Sequence, residues 1–370
     1  MTTQNHTVIH VTARSALALL ALFATLALAS CSNEPIFSTI QNEIKLKDPS
    51  ILGTISSMES AGGDLYAANG YIYRRVAGAG NWRKIGMPSG VGRCAKLASD
   101  GTNLYGLFTE SNWTTFHSVQ RYQAGSWAVV TGLNSIDEIG SGNGRIYAFI
   151  ELPGGSSDHY YNAYVTSGPG SLSFEASPVA ASIGIPTGTA GDYFATQSAV
   201  YHLSGATATQ LAWTTLGRTP GGLCGVVVGA NGNVYTANYG NAYRWDGSAW
   251  TSHSLDLEND PATGIEILQS ATKNLLLISC GAGYGEVSLG ASGELGSYMN
   301  PGATSLSTTD RADEDQYDSS VGLYYLTGIF AFTDPVPADD EYVIYASVTH
   351  YKYNGLWGYY DTTQSEWNRE

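Results

Sequence analysis

After residue 50 the chain repeats one short pattern of polar and apolar positions: a turn residue, an apolar residue, an aromatic residue or leucine, then a small one. It reads Gly63-Asp64-Leu65-Tyr66-Ala67, Thr102-Asn103-Leu104-Tyr105-Gly106, Gly144-Arg145-Ile146-Tyr147-Ala148, Gly191-Asp192-Tyr193-Phe194-Ala195, Gly232-Asn233-Val234-Tyr235-Thr236, Lys273-Asn274-Leu275-Leu276-Leu277 and Tyr342-Val343-Ile344-Tyr345-Ala346. The anchor positions 66, 105, 147, 194, 235, 276 and 345 lie 39, 42, 47, 41, 41 and 69 residues apart. A second pattern follows in most units: Tyr71-Ile72-Tyr73-Arg74 leads to Gly80-Asn81-Trp82, Gln120-Arg121-Tyr122 to Gly125-Ser126-Trp127, Ala242-Tyr243-Arg244-Trp245 to Gly247-Ser248-Ala249-Trp250, and Tyr351-Lys352-Tyr353 to Gly355-Leu356-Trp357. Val200-Tyr201-His202 followed by Trp213 is a looser copy. Each is read as strand, tight turn, strand, with Trp opening the last strand.

The turn chemistry agrees with that reading. Asn69-Gly70, Asp100-Gly101, Asn143-Gly144, Asn231-Gly232, Asp246-Gly247 and Asn354-Gly355 are dipeptides that accept positive φ in two-residue hairpin loops. The fifth unit is then expected to run as Leu223–Val228, Val234–Asn238, Asn241–Trp245 and Ala249–Leu255. A period near forty is that of a four-stranded blade, which cannot bury its faces alone and must stack around an axis. The expected fold class is therefore all-β, a seven-bladed β-propeller of four-stranded antiparallel units over residues 51–370. Two places depart from the period. Val321–Phe332 is expected to supply a long innermost strand of the last unit, an eighth degenerate blade being the alternative there. Phe37–Lys47 either latches the ring or continues a tether.

The N-terminus follows a different pattern. Ser15 to Ala29 is an unbroken Ala/Leu-rich run behind Arg14, too short to span a bilayer, and it ends in Leu28-Ala29-Ser30-Cys31. This resembles a bacterial lipobox. The resemblance implies that residues 1–30 are a cleaved signal peptide, that Cys31 carries diacylglycerol, and that residues 31–50 hold the tether. Stable anchoring needs several acyl chains, which such a modification supplies. With Ser32 after the Cys, the expected address is the outer membrane of a bacterial cell envelope.

Composition and charge narrow the partners. Without residues 1–30 the chain has 16 Lys and Arg against 32 Asp and Glu, a net charge of −16, so nucleic acid is an unsuitable partner. Only 13% of residues are charged, and Gly (44) and Tyr (25) are frequent, which suits pleated surfaces rather than long helices. Cys94, Cys224 and Cys280 each sit within or beside an apolar run and are read as structural thiols.

Motifs of catalysis are sparse. No Ser lies in a Gly-x-Ser-x-Gly elbow, and His117, His159, His202, His253 and His350 fall singly in different units. Gly281-Ala282-Gly283-Tyr284-Gly285 lacks the following helix that a phosphate site needs and is read as a turn. Asp310, Asp313 and Asp315 offer the oxygen donors that Ca²⁺ prefers but not the calcium-loop spacing, so no cofactor is expected beyond that one candidate. The repeated aromatics are read as core between blades. The nonrepeated Tyr160, Tyr161, Tyr284, Tyr359 and Tyr360 are the candidates for a binding face.

The repeat resembles that of lipid-anchored propellers of Gram-negative and spirochaetal envelopes. Gly-x-Leu-Tyr-Ala-x-Asn-Gly-x-Ile-Tyr at 63–73 is similar to the quinoprotein-type blade of outer-membrane assembly lipoproteins, although Asp246-Gly247-Ser248-Ala249-Trp250 does not reproduce that blade's Asp-x-x-x-Gly-x-x-x-Trp element. No family's functional residues carry over. The expected function is a lipid-anchored envelope scaffold that binds a protein or glycan. A propeller glycosidase or lyase using a carboxylate pair from two blades is the first alternative, an envelope assembly factor the second.

Overall fold

The computed structural model describes residues 50–370 apart from 79, 110–115, 154–158, 258–260, 282, 300–325, 335, 350–353 and 363. The chain separates into two compact units, Met1–Leu46 and Lys47–Glu370, and the first lies outside the described residues. The second holds seven four-stranded antiparallel sheets, each made of four strands consecutive in the chain. This is the seven-bladed propeller that the period predicts.

The first strand of each blade lines the hub. These strands are Ser57–Ala61, Arg93–Ser99, Glu138–Gly142, Pro186–Ala190, Val227–Val228, Ala262–Gln269 and Leu326–Phe332. The second strands, Asp64–Ala68, Leu104–Thr109, Arg145–Glu151, Tyr193–Thr196, Val234–Ala237, Asn274–Cys280 and Val343–Val348, carry all seven anchor positions. Every anchor is buried, from Tyr66 to Tyr345. A second strand has sheet neighbours on both sides and another blade above and below, so both of its faces are apolar. The outermost strands, such as Arg83–Lys84 and Thr207–Gln210, are exposed and polar.

The core follows from this geometry as clusters that straddle neighbouring blades. Tyr105, Leu107 and Val119 of blade 2 pack against Ile139, Ile146 and Ala148 of blade 3, and Tyr235 and Ala242 of blade 5 against Leu276, Ile278 and Val287 of blade 6. Cys94 and Cys280 are buried, Cys224 is half-buried, and all three are free thiols. Burial pushes the Cys224 thiol up to about 12 and the Cys94 thiol well above its ordinary range, so neither forms a reactive thiolate.

Three local expectations are corrected. Trp357 lies in the third strand of blade 7, Gly355–Tyr360, and Trp367 in the fourth, because Asn354-Gly355 turns between strands two and three. Trp213 follows the fourth strand of blade 4 and stacks on Trp250 of blade 5 with ring centres 4.0 Å apart. Of the six dipeptides only Asn143-Gly144 forms a two-residue loop with both residues at positive φ (44° and 74°). The others sit in longer turns where Gly alone takes positive φ, and in four of them the Asn or Asp side chain accepts a backbone amide within the turn, as Asn69, Asp100, Asn231 and Asp246 do.

The ring closes between blades 7 and 1 without a shared strand among the described residues; Phe37–Lys47 lies outside them. Ile51, Ile55, Leu65 and Trp82 pack with Val343, Tyr345, Leu356 and Tyr360 in one cluster. Ser50 N donates to the Glu370 carbonyl at 2.7 Å, and Ile55 N to Ser347 Oγ at 3.0 Å. Buried Arg75 donates to the hydroxyls of Tyr345 and Tyr360, and its Nη1 lies 3.8 Å from Glu370 Oε2. Trp82 Nε1 (3.1 Å) and the Tyr360 hydroxyl (2.6 Å) donate to the same Glu370 carboxylate.

Candidate functional site: the hub channel

Seven first strands arranged about an axis leave a channel of about 680 Å³ with a wall from every blade. The wall is mostly small and hydroxylic, as shown by Ser57, Ser60, Ser141, Thr189, Gly225 and Thr263. Side chains pointing inward from converging strands must be small, and the blades then meet closely enough for hydroxyls to bridge them. Ser141 Oγ donates to Glu59 Oε1 at 2.8 Å and accepts from Ser99 N at 2.7 Å, Ser99 Oγ donates to the Ser60 carbonyl at 2.6 Å, and Thr189 Oγ1 to the Ser141 carbonyl at 2.7 Å.

Charged groups interrupt this wall. Glu59 of blade 1 and Glu266 of blade 6 face the channel, and Lys96 of blade 2 pairs with Glu138 of blade 3. Burial raises the Glu59 carboxyl to about 8, against the pull of the Ser141 hydrogen bond and the Lys96 charge, with Glu266 adding repulsion. Burial likewise raises Glu266 to about 7, opposed by its bond from Ile267 N at 2.9 Å and by the Ala331 amide. Glu59 therefore keeps its proton at neutral pH, while Glu266 is about half ionised there. Chemically the channel can release a proton as pH rises through 7 to 8, and its ionised form can receive a cationic group.

A pH dependence of stability follows. A carboxyl raised above its unfolded value near 4.5 stabilises the fold fully below that value, and the contribution is lost as pH rises through 7 to 8. Scanning calorimetry should find the melting temperature lower by about 5 °C at pH 8.5 than at pH 5.5. Glu59→Gln should remove roughly half of that slope. A variant whose pH profile overlays the native one would show that Glu59 titrates normally.

Sequence reasoning missed Glu59, Lys96, Glu138 and Glu266. Their signal is the position on the first strand of each unit, which the repeat locates only loosely because those strands share no phrase beyond Thr263-Gly264-Ile265 and Thr327-Gly328-Ile329. The expected binding tyrosines scatter. Tyr160 is 47% exposed and Tyr161 half-buried on blade 3. Tyr284, Tyr359 and Tyr360 are buried, Tyr284 and Tyr359 against Trp367 and Tyr360 against Tyr345, so these three serve blade packing and not a binding face. The described histidines stay apart: His202 stacks on Tyr193 and His159 pairs with Glu151. Among the described residues no three His, Cys, Asp or Glu side chains converge as a metal site requires, and Asp310, Asp313, Asp315 and Cys31 lie outside them. No helix among the described residues is long and apolar enough to cross a membrane.

Consecutive four-stranded sheets around a polar hub define the class: a seven-bladed β-propeller. Among solved structures it is similar to the extracellular domain of a putative hybrid two-component system, BT4673 of B. thetaiotaomicron, with a TM-score of 0.51 at 12% identity over 90% of this chain and 43% of that one. At that identity the likeness is one of fold. The chain belongs to the TP013X lipoprotein family, whose model matches residues 1–370. An uncharacterized lipoprotein of Treponema pallidum (strain Nichols) is 24% identical over 99% of this chain and 97% of its own length. A second lipoprotein of that organism is 24% identical over 93% and 96%.

Proposed function

We propose that this lipoprotein-family member is an anchored display module: diacylglycerol on Cys31 holds it on the outer membrane of the envelope, and the propeller presents one ring face to a protein partner. The residues divide as signal peptide 1–30, tether 31–50 and propeller 51–370. The observation that carries the reading is topological. The described chain enters at Ser50 beside the start of the first strand of blade 1, on the face that bears the loops between second and third strands. The loops between first and second and between third and fourth strands form the opposite face, turned away from the point of entry. A hub walled by Gly, Ser and Thr, with Glu59 held by Ser141, Glu138 by Lys96 and Glu266 by the Ile267 amide, suits a rigid platform better than a sugar cleft, which would need aromatic walls.

Labelling cells with an alkyne fatty acid tests the anchor. The native chain should take up the label and sediment with membranes, and Cys31→Ser should do neither. A Cys31→Ser chain that still sediments with membranes overturns the anchor.

A further inference from the structure

Blades 1, 2 and 5 share a pairing absent from the other four: the anchor Tyr of the second strand stands opposite an Arg of the third. The pairs are Tyr66 with Arg74, Tyr105 with Arg121 and Tyr235 with Arg244. In two of the three, Tyr and Arg together grip the turn between the third and fourth strands of the next blade. Arg121 Nη1 donates to the Gly170 carbonyl, the Tyr105 hydroxyl to the Ser171 carbonyl at 3.2 Å, and Gly170 N donates to Asp100 Oδ2 at 2.7 Å. In blade 5 the Tyr235 hydroxyl donates to the Gly293 carbonyl at 2.8 Å, Arg244 Nη2 to the Ser292 carbonyl at 3.2 Å, and Asn233 Nδ2 to the same Ser292 oxygen at 2.7 Å. The fit requires glycine, because a Cβ on Gly293 would overlap Asn231, Asn233 and the Tyr235 hydroxyl.

The third grip is empty-handed. The next turn, in blade 2, is only Ala124-Gly125 between Phe116–Gln123 and Ser126–Val129. It lines the same notch as Tyr66 and Arg74 but makes no hydrogen bond to either among the described residues. What remains is a notch of about 440 Å³ between blades 1 and 2, lined among others by Asp64, Tyr66, Arg74, Asn103 and Tyr122. Arg74, its side chain 38% exposed, is paired with Asp64 Oδ2 through Nε at 2.7 Å and Nη2 at 2.5 Å, while its Nη1 and the Tyr66 hydroxyl make no hydrogen bond among the described residues. Tyr66 is 5% exposed and Asn103 6%, and Asn103 Oδ1 is buried without a partner. The Arg74 Nη1 and Tyr66 hydroxyl donors are thus left to water, and the carbonyls of an incoming turn can take their place.

We propose that this notch is a peptide-binding site that takes a glycine-containing reverse turn of a partner protein. Arg74 Nη1 and the Tyr66 hydroxyl donate to the carbonyls of that turn, as Arg244 and Tyr235 do to residues 292 and 293. The notch lies on the face of the ring opposite Ser50, so the inference deepens the display reading. The two fail separately: anchoring is read at Cys31, turn binding at Tyr66.

The probe is the chain's own guest, a cyclised peptide carrying Gly-Ala-Ser-Gly-Glu, the sequence of residues 290–294. It is titrated into the full-length chain in detergent and followed by NMR. Saturable binding is expected with a dissociation constant of about 0.1–1 mM, weakened about tenfold by Tyr66→Phe and by Arg74→Gln. Arg244→Gln should leave it unchanged. Replacing Ala124-Gly125 by Gly-Ala-Ser-Gly-Glu should fill the notch from within, raise the melting temperature and abolish peptide binding. Absence of saturable shifts, or equal binding by Tyr66→Phe in a variant that melts normally, overturns the proposal. So does dimerisation of the native chain that Tyr66→Phe removes, which would assign the notch to a second copy.

Discussion

Arg75→Leu is expected to lower the stability of the propeller by about 3–5 kcal/mol, on the order of 10 °C in melting temperature. Blades 7 and 1 come from opposite ends of the described chain and share no strand there, so the side chains between them must hold the ring shut. Arg75 is a buried cation in that junction's polar network. It donates to two tyrosine hydroxyls, lies over the Tyr360 ring with Cζ 4.9 Å from the centroid, and faces the buried Glu370 carboxylate. Leucine fills much of the same volume yet removes the guanidinium that faces Glu370. The penalty includes the loss of that buried pairing, so adding Glu370→Gln to Arg75→Leu should recover part of the loss. Calorimetry of the two variants decides the matter. A single variant melting within a degree or two of the native chain would mean that apolar packing of Ile51, Trp82, Leu356 and Tyr360 suffices to close the ring.

The same junction shows what a sequence discloses and what it hides. Tyr66, Tyr105, Tyr147, Phe194, Tyr235, Leu276 and Tyr345 were legible because the second strand of every blade meets the same environment, two sheet neighbours and two blades, and identical demands produce a repeated phrase. First strands do not face identical demands. Each contributes a different part of one shared channel, so Ser57–Ala61 and Ala262–Gln269 diverge, and Glu59 and Glu266 come together only through the ring. Tyr359 and Tyr360 misled for a related reason. Adjacent residues of a strand point to opposite faces, which in a lone sheet exposes one of them, but a third strand lies between two blades and buries both. The empty grip of blade 1 was written in Tyr73-Arg74, Gln120-Arg121 and Tyr243-Arg244. Its meaning needed the length of the neighbouring turn, which belongs to the next unit and is invisible within any one repeat.

Gly142→Ala is the second large effect expected, a loss of about 3 kcal/mol or more. Blades fan outward from the axis, so neighbouring sheets approach each other most closely at their first strands and there is least room for a Cβ directed sideways. A Cβ on Gly142 would overlap the Gly191 carbonyl oxygen of blade 4 and the ring of Tyr147. Tyr147 is fully buried, and the Gly191 oxygen is backbone, so neither can move aside without shifting a strand. Gly188 of blade 4 repeats the contact one junction further round, where its Cβ would come 3.1 Å from the Gly225 Cα of blade 5. This crowding is why so glycine-rich a chain can close at seven blades. Gly240→Ala makes the control, since a Cβ there meets nothing within 4 Å and the change should alter stability by no more than about 0.5 kcal/mol. If chemical denaturation gave Gly142→Ala and Gly240→Ala equal costs, backbone entropy rather than blade spacing would account for glycine at the hub. If blade spacing sets the cost, the two variants should differ by about 3 kcal/mol, with the native slope of unfolding retained in both.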